Sequence, residues 1–513
     1  MLNEPLIDKS NLPFVMANMA IDDGSPLPIY EQICRTVRTA ISNGDLPRGT
    51  QLPTTRDLAE VLKVGRNTVV TAYLRLSAEG FVVTNRRRGT RVSEDWTQFS
   101  LSTSGIRLED DGATIGHVRE QPIHRAAAAP VTISYRAREL LDEHASTERF
   151  GRSVSLHSPD PSLYPRNPLS RLLAEEFCRP PGTDFDRGAH RFQSAVAQLL
   201  RQMRGVVCEP EQIIPVVGIE SAVDLVSRVL LDPGHCVYFE DPGHEFVLQN
   251  LTASGAQIIP IPSDGKGADI SRVYGPPARL IYVSPSVGFP FGQQMSEDRR
   301  LALLDAARGW NSIVFENDSH WELSYAGCRL RALQGRSDQT PVVYFAALSS
   351  TLGPHIRIGY LVVPPDLVKA FNEMAQRMAC VPDCFVLGAL ATFIESSEYA
   401  VHTRKLRTIY SQRVKALSGA MRSRLSGITV LEPDGGLNLT ALLDDDLDEQ
   451  TICDAANSRG VAAAALSQFY CERRGFKPPQ GLVLGLGNLP DRTIDSTVDR
   501  LQNILRDGRR AIS

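Results

Sequence analysis

The sequence predicts two unlike folded parts in one chain: a small α+β helix-turn-helix unit with a β-wing near the N-terminus, and a large α/β domain occupying most of the remainder. Three observations predict it. Residues 52–92 hold two short helical patterns, a tight turn and a pair of strand patterns in immediate succession. From about residue 150 onward, short apolar runs alternate with helical patterns, the signature of an α/β domain. And 513 residues exceed what one ordinary hydrophobic core covers.

Residues 1–24 carry no sustained pattern and are expected to form a flexible arm, so the small unit is placed at 25–93. From Pro28 the apolar positions Ile29, Ile33, Val37 and Ile41, with Tyr30 and Ala40 beside them, give an amphipathic helix stopped by Asn43-Gly44. A second helix is expected over Thr55–Leu62, a turn at Val64 and Gly65, and a third helix from Arg66 to about Gly80. In the third, Val69, Tyr73 and Leu76 fall at i, i+4 and i+7 and face a core, while Arg66, Asn67 and Thr68 project from the first turn. Those are the positions that reach base edges when such a helix enters a major groove. Phe81 to Thr84 and Thr90 to Val92 suit two strands, and the connection Asn85-Arg86-Arg87-Arg88-Gly89 sets three guanidiniums at the wing tip, suited to phosphate or a narrow minor groove. Charge supports the reading. Residues 31–92 carry 11 Lys+Arg against 5 Asp+Glu in a chain whose net charge is −4, so a basic patch stands on an acidic chain.

Residues 94–150 turn to Ser, Thr, Asp and Gly and then to charged residues and Ala126 to Ala129, without a period, and read as a linker. The large domain is placed at 151–513, with a larger part over about 151–395 and a smaller C-terminal part over about 396–513. Buried strands are expected at 213–217, 236–239, 257–261, 280–283, 313–315 and 342–345, with helices such as 221–231 and 299–308 between them, which implies a mostly parallel sheet covered on both faces. A long helix from about 398 to 426 leads into an α+β unit with strands at 437–443 and 481–487. No internal repeat is visible.

Hydrophobic residues make up 42% of the chain and no apolar run approaches a membrane span. The N-terminal segment lacks a basic stretch leading into an apolar one, so a cytoplasmic protein that does not meet a membrane is expected. Nine scattered cysteines fit reduced thiols better than a disulfide frame, and Cys380 and Cys384, without a nearby histidine, point to no metal. Asp318 and His320 lie two apart without a nucleophile and suggest no hydrolytic triad, and His244, His320 and His355 lie near the motifs described next.

Together the N-terminal residues resemble the GntR-type winged helix, in which Arg56, Arg66 and Thr68 occupy DNA-contacting positions and Gly89 lies in the wing; Gly65 stands where that family usually has a capping serine. Further along, Leu231-Asp232-Pro233-Gly234, Glu240-Asp241-Pro242-Gly243, Ser284-Pro285-Ser286 with Phe289-Pro290-Phe291-Gly292, and the run from Tyr344 to Tyr360 stand in the order and spacing of the aminotransferase domain of the MocR branch of GntR regulators. The resemblance spans nearly the whole chain. It implies a fold-type-I, PLP-dependent-transferase-like domain, a double-stranded DNA operator, and a head-to-tail homodimer.

The resemblance also implies pyridoxal 5'-phosphate held as a Schiff base on a lysine, yet the lysine position here is Ser350, and no lysine occurs between Lys266 and Lys369. An aldehyde forms no imine with a hydroxyl. Where the family pairs an aspartate with the pyridinium nitrogen and a tyrosine with the ring hydroxyl, this chain has Asn317 and Ser319. The aromatic after the Glu-Asp-Pro-Gly phrase is His244, the family's glycine-serine-glutamine-glutamine phrase reads Gly218-Ile219-Glu220-Ser221, and the arginine that takes a substrate carboxylate is Val483. Ser349 and Arg357 are retained on the family's phosphate side. Either they grip a phosphate, or Arg357 pairs with a buried carboxylate and Ser349 caps a helix.

These losses predict a DNA-binding regulator without transaminase activity, with no covalent cofactor, leaving room for non-covalent PLP, another phosphorylated ligand or a different small-molecule effector. Two alternatives stand beside it: a PLP enzyme with a DNA-binding appendage, recruiting a lysine from elsewhere, and a large domain that is a purely structural dimer module.

Overall fold

The structure, a computed structural model, describes residues 19, 21–22, 24–25, 27–85, 89–94, 133–141, 156, 158–179, 186–325, 330–337, 339–471, 475–487, 489 and 491–512. The chain divides into two compact units, 1–126 and 127–513. Arg86, Arg87 and Arg88 at the expected wing tip, and the arm before residue 19, lie outside the described residues.

In the first unit, α1 (Ile29–Ser42) buries Ile33, Cys34, Val37, Ala40 and Ile41 on one face. Helix α2 (Thr55–Leu62) starts where the Thr54 hydroxyl accepts the Asp57 N–H, and stops where Lys63 turns left-handed at φ 55°. Helix α3 (Arg66–Ala78) follows with Gly65 as an N-cap in extended conformation, the position where a capping serine is usual. Val69, Ala72, Tyr73 and Leu76 on α3 meet Leu58, Ala59 and the buried stripe of α1 in one core. Strands β1 (Val82–Asn85) and β2 (Gly89–Val92) form the wing as an antiparallel pair, with Asn85 opposite Gly89. Gly89 has φ +74°, a conformation that side chains with a Cβ rarely adopt.

The second unit opens with α4 (Tyr135–Leu141), a helix inside the stretch expected to be linker. One and a half to two turns are too short to register as a period in sequence, but Arg136 forms an ion pair with Asp224 of the large sheet's helical layer. Helices α5 (Arg166–Phe177) and α6 (Arg187–Arg204) precede β3 (Ile213–Val216) and α7 (Gly218–Leu230). Next come β4 (Cys236–Asp241), α8 (Glu245–Ala253), β5 (Gln257–Asp264), β6 (Gly267–Ala268), β7 (Leu280–Val283), α9 (Glu297–Trp310), β8 (Ile313–Asn317) and β9 (Val342–Ala347). The short α10 (Ser349–Leu352), β10 (Gly359–Val362), α11 (Val368–Arg377) and α12 (Cys384–Glu395) complete the larger part.

These strands form one eight-stranded sheet in the order β3-β10-β9-β8-β7-β4-β5-β6. β4, β5, β7, β8 and β9 pair in parallel, whereas β10 runs antiparallel to both β9 and β3, which leaves β3 parallel to those five, and β6 pairs antiparallel to β5. Six of the eight strands are those expected from their apolar runs. Both faces are covered, one by a cluster centred on α6 and α12, the other by one containing α7 and Phe371 of α11.

The chain then enters α13 (Ser397–Arg424), whose buried stripe Leu406, Tyr410, Val414, Leu417 and Met421 joins the core of a smaller α+β part. That part is built from β11 (Ile428–Leu431), β12 (Asn438–Leu443), α14 (Glu449–Ser458), β13 (Ala463–Ala465), β14 (Gly481–Gly485) and α15 (Ile494–Ile512). Its antiparallel sheet has the order β11-β12-β14-β13. Among the described residues no single helix is long and apolar enough to cross a membrane.

Candidate functional site

Two places in the chain bring the predicted residues into relation, and each is built differently. In the first unit Arg56 is exposed in the first turn of α2, and Arg66 and Asn67 are exposed in the first turn of α3. Thr68 is half-buried and its N–H bonds to the Gly65 carbonyl, which fixes the start of α3. Two other arginines of this unit are already committed: Arg38 and Arg75 both pair with Glu31 and Glu79. Arg56 and Arg66 make no ion pair among the described residues, so their charge is available to an outside anion.

The second place is a cavity of about 340 Å³ in the large unit. Every parallel strand that feeds it does so from its C-terminal end: Gly218 to Glu220 follow β3, His244 to Val247 follow β4, Ser319 and His320 follow β8, and Ser349 and Ser350 follow β9. That is where open α/β sheets present their ligand crevices, because the loops there face one opening. Gly218 turns β3 into α7 with φ +77°.

Ser350 is buried, and its hydroxyl donates to the Ser319 carbonyl at 2.9 Å, with the Ala347 carbonyl at 3.3 Å. Asn317 is buried at the end of β8; its amide donates to the Tyr282 hydroxyl at 2.8 Å, and its oxygen accepts from the N–H and hydroxyl of Ser319. Val483 lies in the middle of β14, opposite Thr440 and Ala464, and packs with Leu156, Phe289, Leu466 and Phe469. Arg357 reaches Glu220, with Nη2 3.3 Å from Oε2, at the start of α7. Of the two expectations for Arg357, pairing with a carboxylate is the one observed, though the carboxylate is half-exposed rather than buried. Ser349 is the first residue of α10 and Leu348 holds the cap position, so the serine is not the cap.

The donor set does not fit covalently held PLP. Among the described residues lining the cavity there is no lysine to form an imine, the Ser350 hydroxyl is bonded to the Ser319 carbonyl, and the amide of Asn317 carries no charge to hold a protonated ring nitrogen.

Two imidazoles face the cavity. Burial pushes His244 down to about 3, with the charge of His320 adding to the effect, and burial pushes His320 down to about 4 against the pull of Asp318. Both are therefore neutral near pH 7. His244 stacks on Phe289, centroids 4.6 Å apart and planes 13° from parallel, and Phe469 meets Phe289 edge-on at 4.7 Å. The titration has a testable sign. The unfolded imidazole takes its proton near 6.5 and the folded one near 4, so the stability held by neutral His320 is whole above about pH 6.5 and lost as pH falls below it. His320→Asn removes that loss. The gap in stability between wild type and variant is expected to narrow by about 1–2 kcal/mol from about pH 7 to about pH 5, read from thermal melts; a constant or widening gap contradicts the assignment.

Below the cavity floor lies a pair that local sequence reading misses. Arg204, at the end of α6, is enclosed: Nε donates to Asp318 Oδ2 at 2.7 Å, Nη2 to the Ser286 hydroxyl at 2.6 Å and Nη1 to the Leu330 carbonyl at 2.8 Å. The Tyr344 hydroxyl donates to the same Asp318 oxygen at 2.9 Å. Burial works against the guanidinium's charge, but Asp318, Tyr344 and Glu316 outweigh it and hold its pKa above the ordinary value.

A helix-turn-helix unit with a wing, joined to an α/β unit of this topology, defines a class. Residues 29–92 match the family described as "Bacterial regulatory proteins, gntR family", and residues 186–500 match "Aminotransferase class I and II". The chain belongs to the MocR-like branch of the GntR family of DNA-binding transcriptional regulators. It is 30% identical to the probable rhizopine catabolism regulatory protein MocR of Rhizobium meliloti, over 94% of this chain and 95% of that one. It is 28% identical to the HTH-type transcriptional regulator YhdI of Bacillus subtilis, over 94% and 97%. Among solved structures, the multiple substrate aminotransferase of Thermococcus profundus superposes with a TM-score of 0.63 at 23% identity, over 69% of this chain and 90% of that one, a likeness of fold.

Proposed function

We propose that this regulator binds a paired-half-site operator as a head-to-tail homodimer in the cytoplasm, and that its aminotransferase-like unit senses a small molecule without transamination. Ser350 is the single observation that supports the loss of catalysis: the cavity offers a hydroxyl already spent on the Ser319 carbonyl, and its described lining holds no lysine to form an imine. The cavity at the strand ends supports sensing over a purely structural role, since a dimer module needs no such opening.

In this reading Arg66, Asn67 and Thr68 read base edges from the first turn of α3, and Arg56 with the wing residues Arg86, Arg87, Arg88 and Gly89 holds the phosphate backbone. Replacing Arg86–Arg88 with alanine is expected to weaken binding to all sequences alike and to flatten its salt dependence, the log–log slope falling by about 0.9 for each phosphate no longer neutralised. An unchanged salt slope in a titration from low to high salt contradicts the wing's role.

Adding PLP to the purified protein and treating it with borohydride tests the absence of catalysis. No reducible imine band above about 400 nm is expected; such a band, with label on a lysine, overturns the reading. Selection of bound fragments from the host genome tests the operator, and enrichment of no sequence overturns it.

A further inference from the structure

The class of small molecule this cavity selects is written in the pair at its mouth, an inference that rests on the reading of the large unit as a sensor. The first turn of a helix that opens onto a cavity is ordinarily an anion site, because its N–H groups lack partners and the helix dipole adds positive charge. Here α7 presents such a turn beside Arg357, yet the chain supplies the anion itself. The Glu220 carboxylate is folded back over the first turn, so close that a Cβ on Gly218 would stand 2.6 Å from Oε2, and the same oxygen lies 3.3 Å from the Arg357 guanidinium. A phosphate approaching this corner meets a like charge where it would need a counter-charge.

Away from this corner the walls include the stacked pair of His244 and Phe289 with Phe469 on edge, while the amide of Asn317 is consumed by Tyr282 and Ser319 and the Glu245 carboxylate also lies on the lining. A flat ring can lie against such walls.

We propose that the cavity takes a flat aromatic ligand and rejects phosphate esters, with Glu220 as the residue that excludes the phosphate. Glu220 is thus a specificity-determining residue. It turns a corner suited to phosphate into one that is already filled, and Arg357 holds it there.

The test uses the full-length protein and a matched pair of probes, pyridoxine and pyridoxine 5'-phosphate, which share one ring, lack an aldehyde and differ by the phosphate. Calorimetric titration of wild type is expected to show pyridoxine bound at least about ten-fold more tightly than its phosphate ester. In Glu220→Gln, and in Glu220→Ser as a second variant, the preference is expected to reverse, with an unchanged thermal melt as evidence that the large unit stays folded. Arg357→Gln, which removes the cation and keeps the carboxylate, is expected to leave the phosphate ester excluded. Wild type that prefers the ester, or a Glu220→Gln protein with an unchanged preference, overturns the ligand class and leaves sensing in place. Binding of neither probe at millimolar concentration overturns the ligand class and the sensor reading together.

Discussion

Arg66→Ala is expected to lower affinity for the operator about 10- to 100-fold while changing affinity for random DNA of the same length by no more than about three-fold. The size follows from removing a single hydrogen-bonded pairing with a base edge, about 1–3 kcal/mol. The selectivity follows from position. Arg66 opens α3, is exposed, and carries no ion pair among the described residues, so substitution disturbs nothing within the fold. Arg75→Ala is the internal control: the same charge leaves the same helix, but its guanidinium is occupied by Glu31 and Glu79 on the far side of the unit. It is expected to change operator affinity by less than about three-fold. Anisotropy titrations at one fixed salt concentration decide the matter, because the electrostatic part of binding moves with salt. Equal losses on operator and random DNA for Arg66→Ala would reassign it to the phosphate backbone.

Why the small unit can be read so closely from sequence, and the cavity only in part, has a physical basis. The boundaries of α2 and α3 are set by interactions within a few residues: Thr54 capping Asp57, the left-handed Lys63, and Gly65 before Arg66. Of these, Gly65 is visible as a letter, and the local range of the others keeps the boundaries close to the sequence pattern. The parallel strands are legible as well, since strands buried on both faces become continuous apolar runs. β10 is legible only as part of a motif, and α4 reads as linker, because four and seven residues hold too little period to distinguish. The cavity shows the same division. The expectation that Ser350, Asn317, Ser319 and Val483 stand at replaced functional positions comes from the letters alone, because each is a reading at one position. What the replacements do instead depends on partners brought together by folding: Ser350 on the Ser319 carbonyl, Glu220 on Arg357, Phe289 and Phe469 around His244. Glu220 in particular reads in sequence as one more replaced residue, and becomes a supplied anion only once β3 and β9 stand in the same sheet.

The buried Arg204–Asp318 pair carries the second large expectation. Arg204→Met is expected to destabilise the large unit by about 3–5 kcal/mol, because it strands the Asp318 carboxylate in the interior without its counter-charge. The two side chains are 2% and 0% exposed, so water cannot replace the guanidinium, and Ser286 and the Leu330 carbonyl lose their donor in the same step. In a melt the drop should be about 5–10 °C. Arg204→Met/Asp318→Asn should recover most of it, since a neutral amide can still accept from the Tyr344 hydroxyl. If the double variant is no more stable than the single one, the cost lies in packing and not in the stranded charge. The consequence reaches the cavity because Asp318 sits between Asn317 and Ser319, the two residues whose mutual hydrogen bonds shape its floor. The single variant should therefore weaken binding of any cavity ligand under conditions where the first unit, with its own separate core, still holds DNA.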